Sequence, residues 1–243
     1  MAEFTYRQLN NHRYCIIGQP RCGSHWLESI IFNNLNGPNK LKLGEFLSWW
    51  SASYSSFTVS NNLLLSNSYS TEVDNIKEMY RRRDMLKHID PSQPLVARLF
   101  MIDNWFWDYT DIAKVFSENN FNFVYLSRDL EPQIISYYIT KEKNKWSKYK
   151  FENLVFVDIS ILKRYIFNFV QHKLQGEKWL DTIPHEVIDY DSLLKCNVPE
   201  QITDGYFKQM PYNPYDIIIN KDEVKQTFID YYPLVIESIR SSL

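Results

Sequence analysis

The spacing of hydrophobic and polar positions changes several times along the chain, and each change marks an element. Residues 14–17 form a short apolar run, long enough for a buried strand and too short for a helix. Residues 18–23, Gly-Gln-Pro-Arg-Cys-Gly, are turn chemistry. From Ser24 the spacing becomes helical, with Trp26, Leu27, Ile30, Ile31 and Leu35 on one side and Ser24 expected to cap the first turn. Asn36-Gly37-Pro38 stops that helix. Residues 41–62 are dense in aromatic residues and serine without a clear period, which reads either as a loop packed by its own rings or as a substrate-facing wall. Residues 71–89 predict a helix whose Arg81-Arg82-Arg83 run reads as a solvated face near its C-terminal dipole.

The same reading gives strands at residues 95–102, 121–126 and 184–190, and helices at 104–118, 131–143, 159–180 and 222–241. Residues 143–150 read as a basic turn, 191–194 as a turn away from the last strand, and 197–220 as irregular. Strands that alternate with helices predict an α/β fold: a parallel sheet of about four to five strands with helices on both faces. In such a sheet the C-terminal ends of all strands share one edge, where ligands bind. Residues 18–24, 98–103, Arg128 and 189–191 are expected to converge there.

Composition narrows the class. A chain of 243 residues, 44% hydrophobic and 23% charged, fits one globular domain over residues 1–243 with a sizeable core. A net charge of −2 gives no bulk attraction to nucleic acid, although a local basic pocket remains compatible with it. Cys15, Cys22 and Cys196 have no metal-ligand spacing, and their odd number argues against a disulfide framework, so no metal is expected. The first residues lack an apolar core, and no apolar run reaches the roughly 18 residues that span a bilayer. A cytoplasmic protein without a membrane anchor is the expectation.

Candidate chemistry sits in the first strand–loop–helix unit. Such a unit points backbone N–H groups and the positive end of a helix dipole at one spot, which suits phosphate or sulfate. The spacing Gly18-x-x-x-x-Gly23-Ser24 is that of a nucleotide-triphosphate P-loop, but the lysine after the second glycine is missing and the cation, Arg21, lies inside the loop. The stretch from Pro20 through Arg21, Cys22, Gly23, Ser24, His25 and Trp26 to Leu27 resembles the 5′-phosphosulfate loop of the sulfotransferases that use 3′-phosphoadenosine 5′-phosphosulfate (PAPS). It departs from the family at Cys22, and at His25, which stands in place of a hydroxyl residue. A plain glycine turn between a core strand and a core helix is the structural alternative.

A second stretch follows the strand at 121–126. Arg128, then Ser136 eight residues on and a tyrosine after it, resembles the 3′-phosphate motif of the same family, with Pro132 two places later than the family proline. An arginine fork reads phosphate bidentately, and a serine about two turns into the helix faces back toward the strand end. Weaker likenesses are Trp26, where the family often stacks a tryptophan on adenine, residues 187–194, and residues 217–224. The closest feel is that of bacterial trehalose-type and carbohydrate sulfotransferases.

The resemblance implies a P-loop-like fold and metal-free, in-line sulfuryl transfer from PAPS to the hydroxyl of a small-molecule or carbohydrate acceptor, leaving adenosine 3′,5′-bisphosphate. It implies Arg21 at the transferring group, the backbone of residues 22–24 and the Ser24 hydroxyl at the 5′-phosphate, and Arg128 and Ser136 at the 3′-phosphate. Glu45, among Phe46, Trp49 and Trp50, is the candidate general base, with Asp103 and His25 behind it. His25 alternatively donates to phosphate. A P-loop kinase or NTPase, and a non-catalytic nucleotide-binding protein of the same fold, are the competing classes.

Overall fold

The computed structural model describes residues 12–37, 39–44, 86, 89–101, 109–143, 154–195 and 213–243. Glu45, Asp103, most of the helix expected over 71–89, the rest of the aromatic stretch after Gly44 and the basic turn at 144–150 lie outside the described residues.

Among the described residues five strands form one sheet: β1 (Arg13–Gly18), β2 (Leu41–Gly44), β3 (Leu95–Phe100), β4 (Asn122–Ser127) and β5 (His185–Asp189), in the order β2-β3-β1-β4-β5. Every pairing is parallel, so the α/β class expected from the alternation of periods is the observed one. β2 is a strand that periodicity does not announce. Only Leu41 and Leu43 alternate before the register shifts between Lys42 and Gly44, and four residues are too few to establish a period.

Among the described residues the helices with full bounds are α1 (Ser24–Asn34), α2 (Tyr109–Glu118), α3 (Leu130–Lys143), α4 (Ile159–Leu180), α5 (Tyr190–Lys195) and α6 (Lys221–Arg240), with a 3₁₀ turn at Pro214–Ile217. The stretch at 191–194 is thus part of a short helix rather than a turn. Asp158 caps α4, accepting from the N–H groups of Ser160 and Ile161.

The two-residue period of the strands sorts the core onto both faces of the sheet. Tyr14 and Ile16 of β1 join Val96, Val124 and Leu126 against Trp26, Leu27, Ile30 and Ile31 of α1. Cys15 and Ile17 join Ala97, Leu99, Phe123 and Tyr125 against Phe116 of α2 and Trp179 of α4. A third cluster packs α3 against the first half of α4 and against α6, through Ile135, Tyr138, Leu162, Phe169 and Phe228. β1 is therefore covered on both sides, and its six residues are all buried. Among the described residues, no helix is long and apolar enough to cross a membrane.

β1 lies where the strand order reverses, with β3 on one side and β4 on the other. The crevice beyond the C-terminal ends of strands at such a point is where open α/β sheets take ligands. Residues 19–23 bridge β1 and α1 there.

Candidate functional site

The loop after β1 begins with a tight turn. The Cys22 N–H donates to Gln19 O at 3.2 Å, Pro20 stands at the second position, and Arg21 at the third has φ 67°. Proline ahead of a positive φ defines a type II turn, whose third position ordinarily carries glycine. An arginine there costs roughly 1–2 kcal/mol. Side chains from the neighbouring element offset that cost. Gln133 Nε2 of α3 donates to Pro20 O at 2.7 Å, and Arg128 Nη1, just after β4, donates to Arg21 O at 2.6 Å. A neutral hydrogen bond contributes about 1 kcal/mol and a charge-assisted one about 1.5–3 kcal/mol, so the pair outweighs the strain.

Gly23 follows in the left-handed region, at φ 93° and ψ 14°, and is the N-cap of α1. Here the structure corrects an expectation: Ser24 opens the helix and does not cap it, because the left-handed residue before it makes the turn into α1. A β-carbon at Gly23 would lie 2.5 Å from the Tyr190 ring, so only glycine admits both that backbone and that neighbour. Gly18 is required for a different reason, since a β-carbon there would meet Cys22 Sγ at 2.7 Å. The thiol is turned into the core beneath the loop, where burial raises its pKa, while hydrogen bonds from the Ser24 N–H and hydroxyl and the charges of Arg128 and Arg98 oppose the rise. Left-handed Arg21 and Gly23 flank Cys22, whose φ is not positive, an alternation of hand of the kind that forms anion-binding backbone nests, and the loop stands at the positive end of α1.

The two stretches singled out in the sequence meet at this loop. Arg21 Nε donates to Ser136 Oγ at 3.2 Å. Arg128, besides holding Arg21 O, lies over the Tyr190 ring at 4.1 Å from its centroid. Ser136 is 2% exposed and forms the floor under Arg21. No family model matches the chain, and no curated protein matches it.

Arg98 of β3, which opens the 98–103 stretch expected at this edge, pairs with Glu28 of α1, a partner that sequence reading passes over. Arg98 Nε lies 3.1 Å from Glu28 Oε2, and their side chains are 6% and 3% exposed. The signal was present: an arginine inside the apolar run of β3, and a glutamate beside Leu27 on the buried side of α1. Tyr190 lies in the 189–191 stretch expected at this edge, and it meets both Gly23 and Arg128 there; Gln133, which also shapes the loop, had no comparable signal.

His25 is exposed at the surface. Even so, the packing around its ring, then the charges of Arg98, Arg21 and Lys42, push its imidazole pKa down to about 3. A general base works best with a pKa near the working pH, so a ring this hard to protonate suits hydrogen bonding as the neutral form better than proton abstraction. Trp26 is 3% exposed and packs in the core cluster of α1, its indole Nε1 without a hydrogen-bond partner among the described residues. Its ring presents no open face for stacking. The structure thus brings together Pro20, Arg21, Cys22, Gly23, Ser24, Arg128 and Ser136, with His25 at the rim and Trp26 beneath.

Proposed function

We propose that the chain is a sulfotransferase that takes a sulfuryl group from PAPS and passes it to the hydroxyl of a small-molecule or carbohydrate acceptor. The observation that carries this reading is the hydrogen bond from Arg21 to Ser136, which joins the phosphosulfate-like loop to the 3′-phosphate-like stretch. A nucleotide bearing phosphates on both its 3′ and 5′ positions needs two anion sites side by side. The donor set fits such a group: loop backbone at the N-terminus of α1, two guanidinium forks and a hydroxyl.

Bound PAPS would supply the activated sulfuryl group itself. The protein's part is positioning and charge. Arg21 faces the charge that develops on the transferring group and its leaving phosphate. The backbone of residues 22–24, apart from the Cys22 N–H that closes the turn onto Gln19 O, and the Ser24 hydroxyl would hold the 5′-phosphate. Arg128 and Ser136 take the 3′-phosphate, with Arg128 oriented by Tyr190 and by Arg21 O. Glu45 would receive the proton of the acceptor hydroxyl. Localisation in the cytoplasm is part of the same proposal.

The test is isothermal titration of the purified chain with adenosine 3′,5′-bisphosphate and with ADP. Tighter binding of the 3′,5′-bisphosphate by about tenfold or more is expected from one extra charge-assisted contact. Equal affinity, or tighter binding of ADP, overturns the reading.

A further inference from the structure

We infer that Gln133 is a positioning residue that selects the anion-binding form of the loop by gripping the central peptide of its turn. The inference rests on the loop being an anion site, as proposed above, and extends Gln133 from holding the turn to selecting its anion-binding form.

A type II turn and a type I turn differ mainly by a flip of the peptide between their second and third residues. In this loop that is the Pro20–Arg21 peptide, and its carbonyl is the acceptor of the Gln133 hydrogen bond. A trans peptide directs its C=O and N–H to opposite sides. Holding Pro20 O on α3 therefore turns the Arg21 N–H away from α3. The grip is firm because Gln133 is 1% exposed and packed among core residues of α3, so no water competes for the carbonyl.

The intrinsic preference of the loop runs the other way. Proline followed by an L-residue other than glycine favours type I, with the third residue right-handed. In type I the Arg21 backbone leaves the left-handed region, its alternation of hand with Cys22 is lost, and the Arg21 N–H turns toward α3. The Arg21 side chain also loses the direction that brings its Nε to Ser136. Gln133 thus acts through the backbone, on both the N–H cradle and the guanidinium, without touching the anion.

The experiment is a double-mutant cycle on the full chain, read as affinity for pyrophosphate and for adenosine 3′,5′-bisphosphate. Gln133→Met keeps the length of the side chain and removes the donor. It should weaken pyrophosphate by about tenfold, the scale of one lost buried hydrogen bond. Arg21→Gly removes the guanidinium but makes the turn type II by its own preference. In that background Gln133→Met should cost less than about twofold, since glycine needs no grip to stay left-handed. A merely structural glutamine would give the same loss in both backgrounds, and that result overturns the inference, as does no loss in the otherwise wild-type chain. Circular dichroism checks that each variant is folded. If Gln133→Met is not, Gln133→Asn, which keeps the amide and shortens its reach, carries the same expectation. Binding of pyrophosphate but not of the 3′,5′-bisphosphate leaves the role of Gln133 standing and removes the PAPS reading. Binding of neither probe removes both.

Discussion

Arg21 and Ser136 stand 115 residues apart in the chain and 3.2 Å apart in the fold, the Nε of one donating to the hydroxyl of the other. The contact ties the loop after β1 to the second turn of α3. It gives a first prediction. Ser136→Ala should weaken adenosine 3′,5′-bisphosphate by about tenfold and also loosen Arg21. In a cycle with Arg21→Ala, measured by titration calorimetry, the two losses should fall short of additive, because each change removes part of what the other provides. Arg21→Ala alone should cut turnover with PAPS by about 100-fold, as for loss of one donor to a developing charge. Preserved turnover with weakened binding would show that Arg21 only anchors.

Arg128 divides its guanidinium between Arg21 O and the Tyr190 face. An arginine offers five N–H groups in a fixed fork, so these contacts orient it and leave others for phosphate. Arg128→Ala is expected to remove most of the preference for adenosine 3′,5′-bisphosphate over 5′-AMP. Arg128→Lys should recover little of it, since a point charge cannot reproduce the fork. Competition titrations of both nucleotides against each variant decide this, and a preference that survives Arg128→Ala places the 3′-phosphate elsewhere.

Much of this was legible from local pattern. β1, the glycine loop and α1 announce themselves by three successive periods within a short stretch, and α4 by a long amphipathic stripe that opens at Asp158. Each depends on near neighbours in the chain. What stayed hidden depends on distant ones. β2 is a strand because β3 pairs with it, and Gly44 at φ 61° shifts the register before a pattern can build. Gln133 reads as one more polar helix residue until Pro20 is placed against it. Trp26 could have faced a ligand or the core by spacing alone, and packing against β1 and β3 settles it as core.

Gly23 carries two constraints that can be separated. Its φ of 93° strains any L-residue, and its neighbour Tyr190 fills the space of a β-carbon. Gly23→Ala should destabilise the fold by about 1–3 kcal/mol, from strain and overpacking together. Adding Tyr190→Ala removes the crowding from the Gly23→Ala chain but not the strain. Urea denaturation of the single and double variants should therefore show the cost of the alanine at position 23 reduced, not abolished, in the Tyr190→Ala background. Complete relief would mean that backbone strain at this position costs nothing.

Glu28 and Arg98 form an ion pair with almost no access to water. Removing one partner leaves a buried charge, whereas replacing both with apolar groups does not. Glu28→Leu is expected to cost about 3–5 kcal/mol, and the double variant Glu28→Leu/Arg98→Met markedly less, by chemical denaturation. The double variant should still bind less anion than the wild type, because Arg98 contributes positive potential near Cys22 and His25. Equal costs for the single and double variants would show that the pair does not act as a unit.

The histidines set the pH dependence of stability. Burial lowers the pKa of His172, and burial together with the charges of Arg98, Arg21 and Lys42 lowers that of His25 to about 3. Both rings are therefore held neutral in the fold, while the unfolded chain protonates them near pH 6.5. Between those limits the unfolded state binds more protons, so stability rises with pH and is lost as pH falls from about 6.5 toward the folded-state values. Asp90 and Asp158, whose carboxylates accept hydrogen bonds from Ser92 and Ser160, have lowered pKa values and lose their contribution only below the usual carboxylate range. Among the described residues the interval from pH 7 to 5 thus separates the histidines from these two carboxylates. Thermal melts across it should show a falling midpoint for the wild type and a flatter line for His25→Gln and for His172→Gln. Sulfate, which stays fully ionised there, should bind the wild type without a step near pH 6.5, since His25 does not gain a proton in that range. A rise in sulfate affinity through pH 6.5 that His25→Gln abolishes would show a cationic imidazole at the anion site and overturn the neutral assignment.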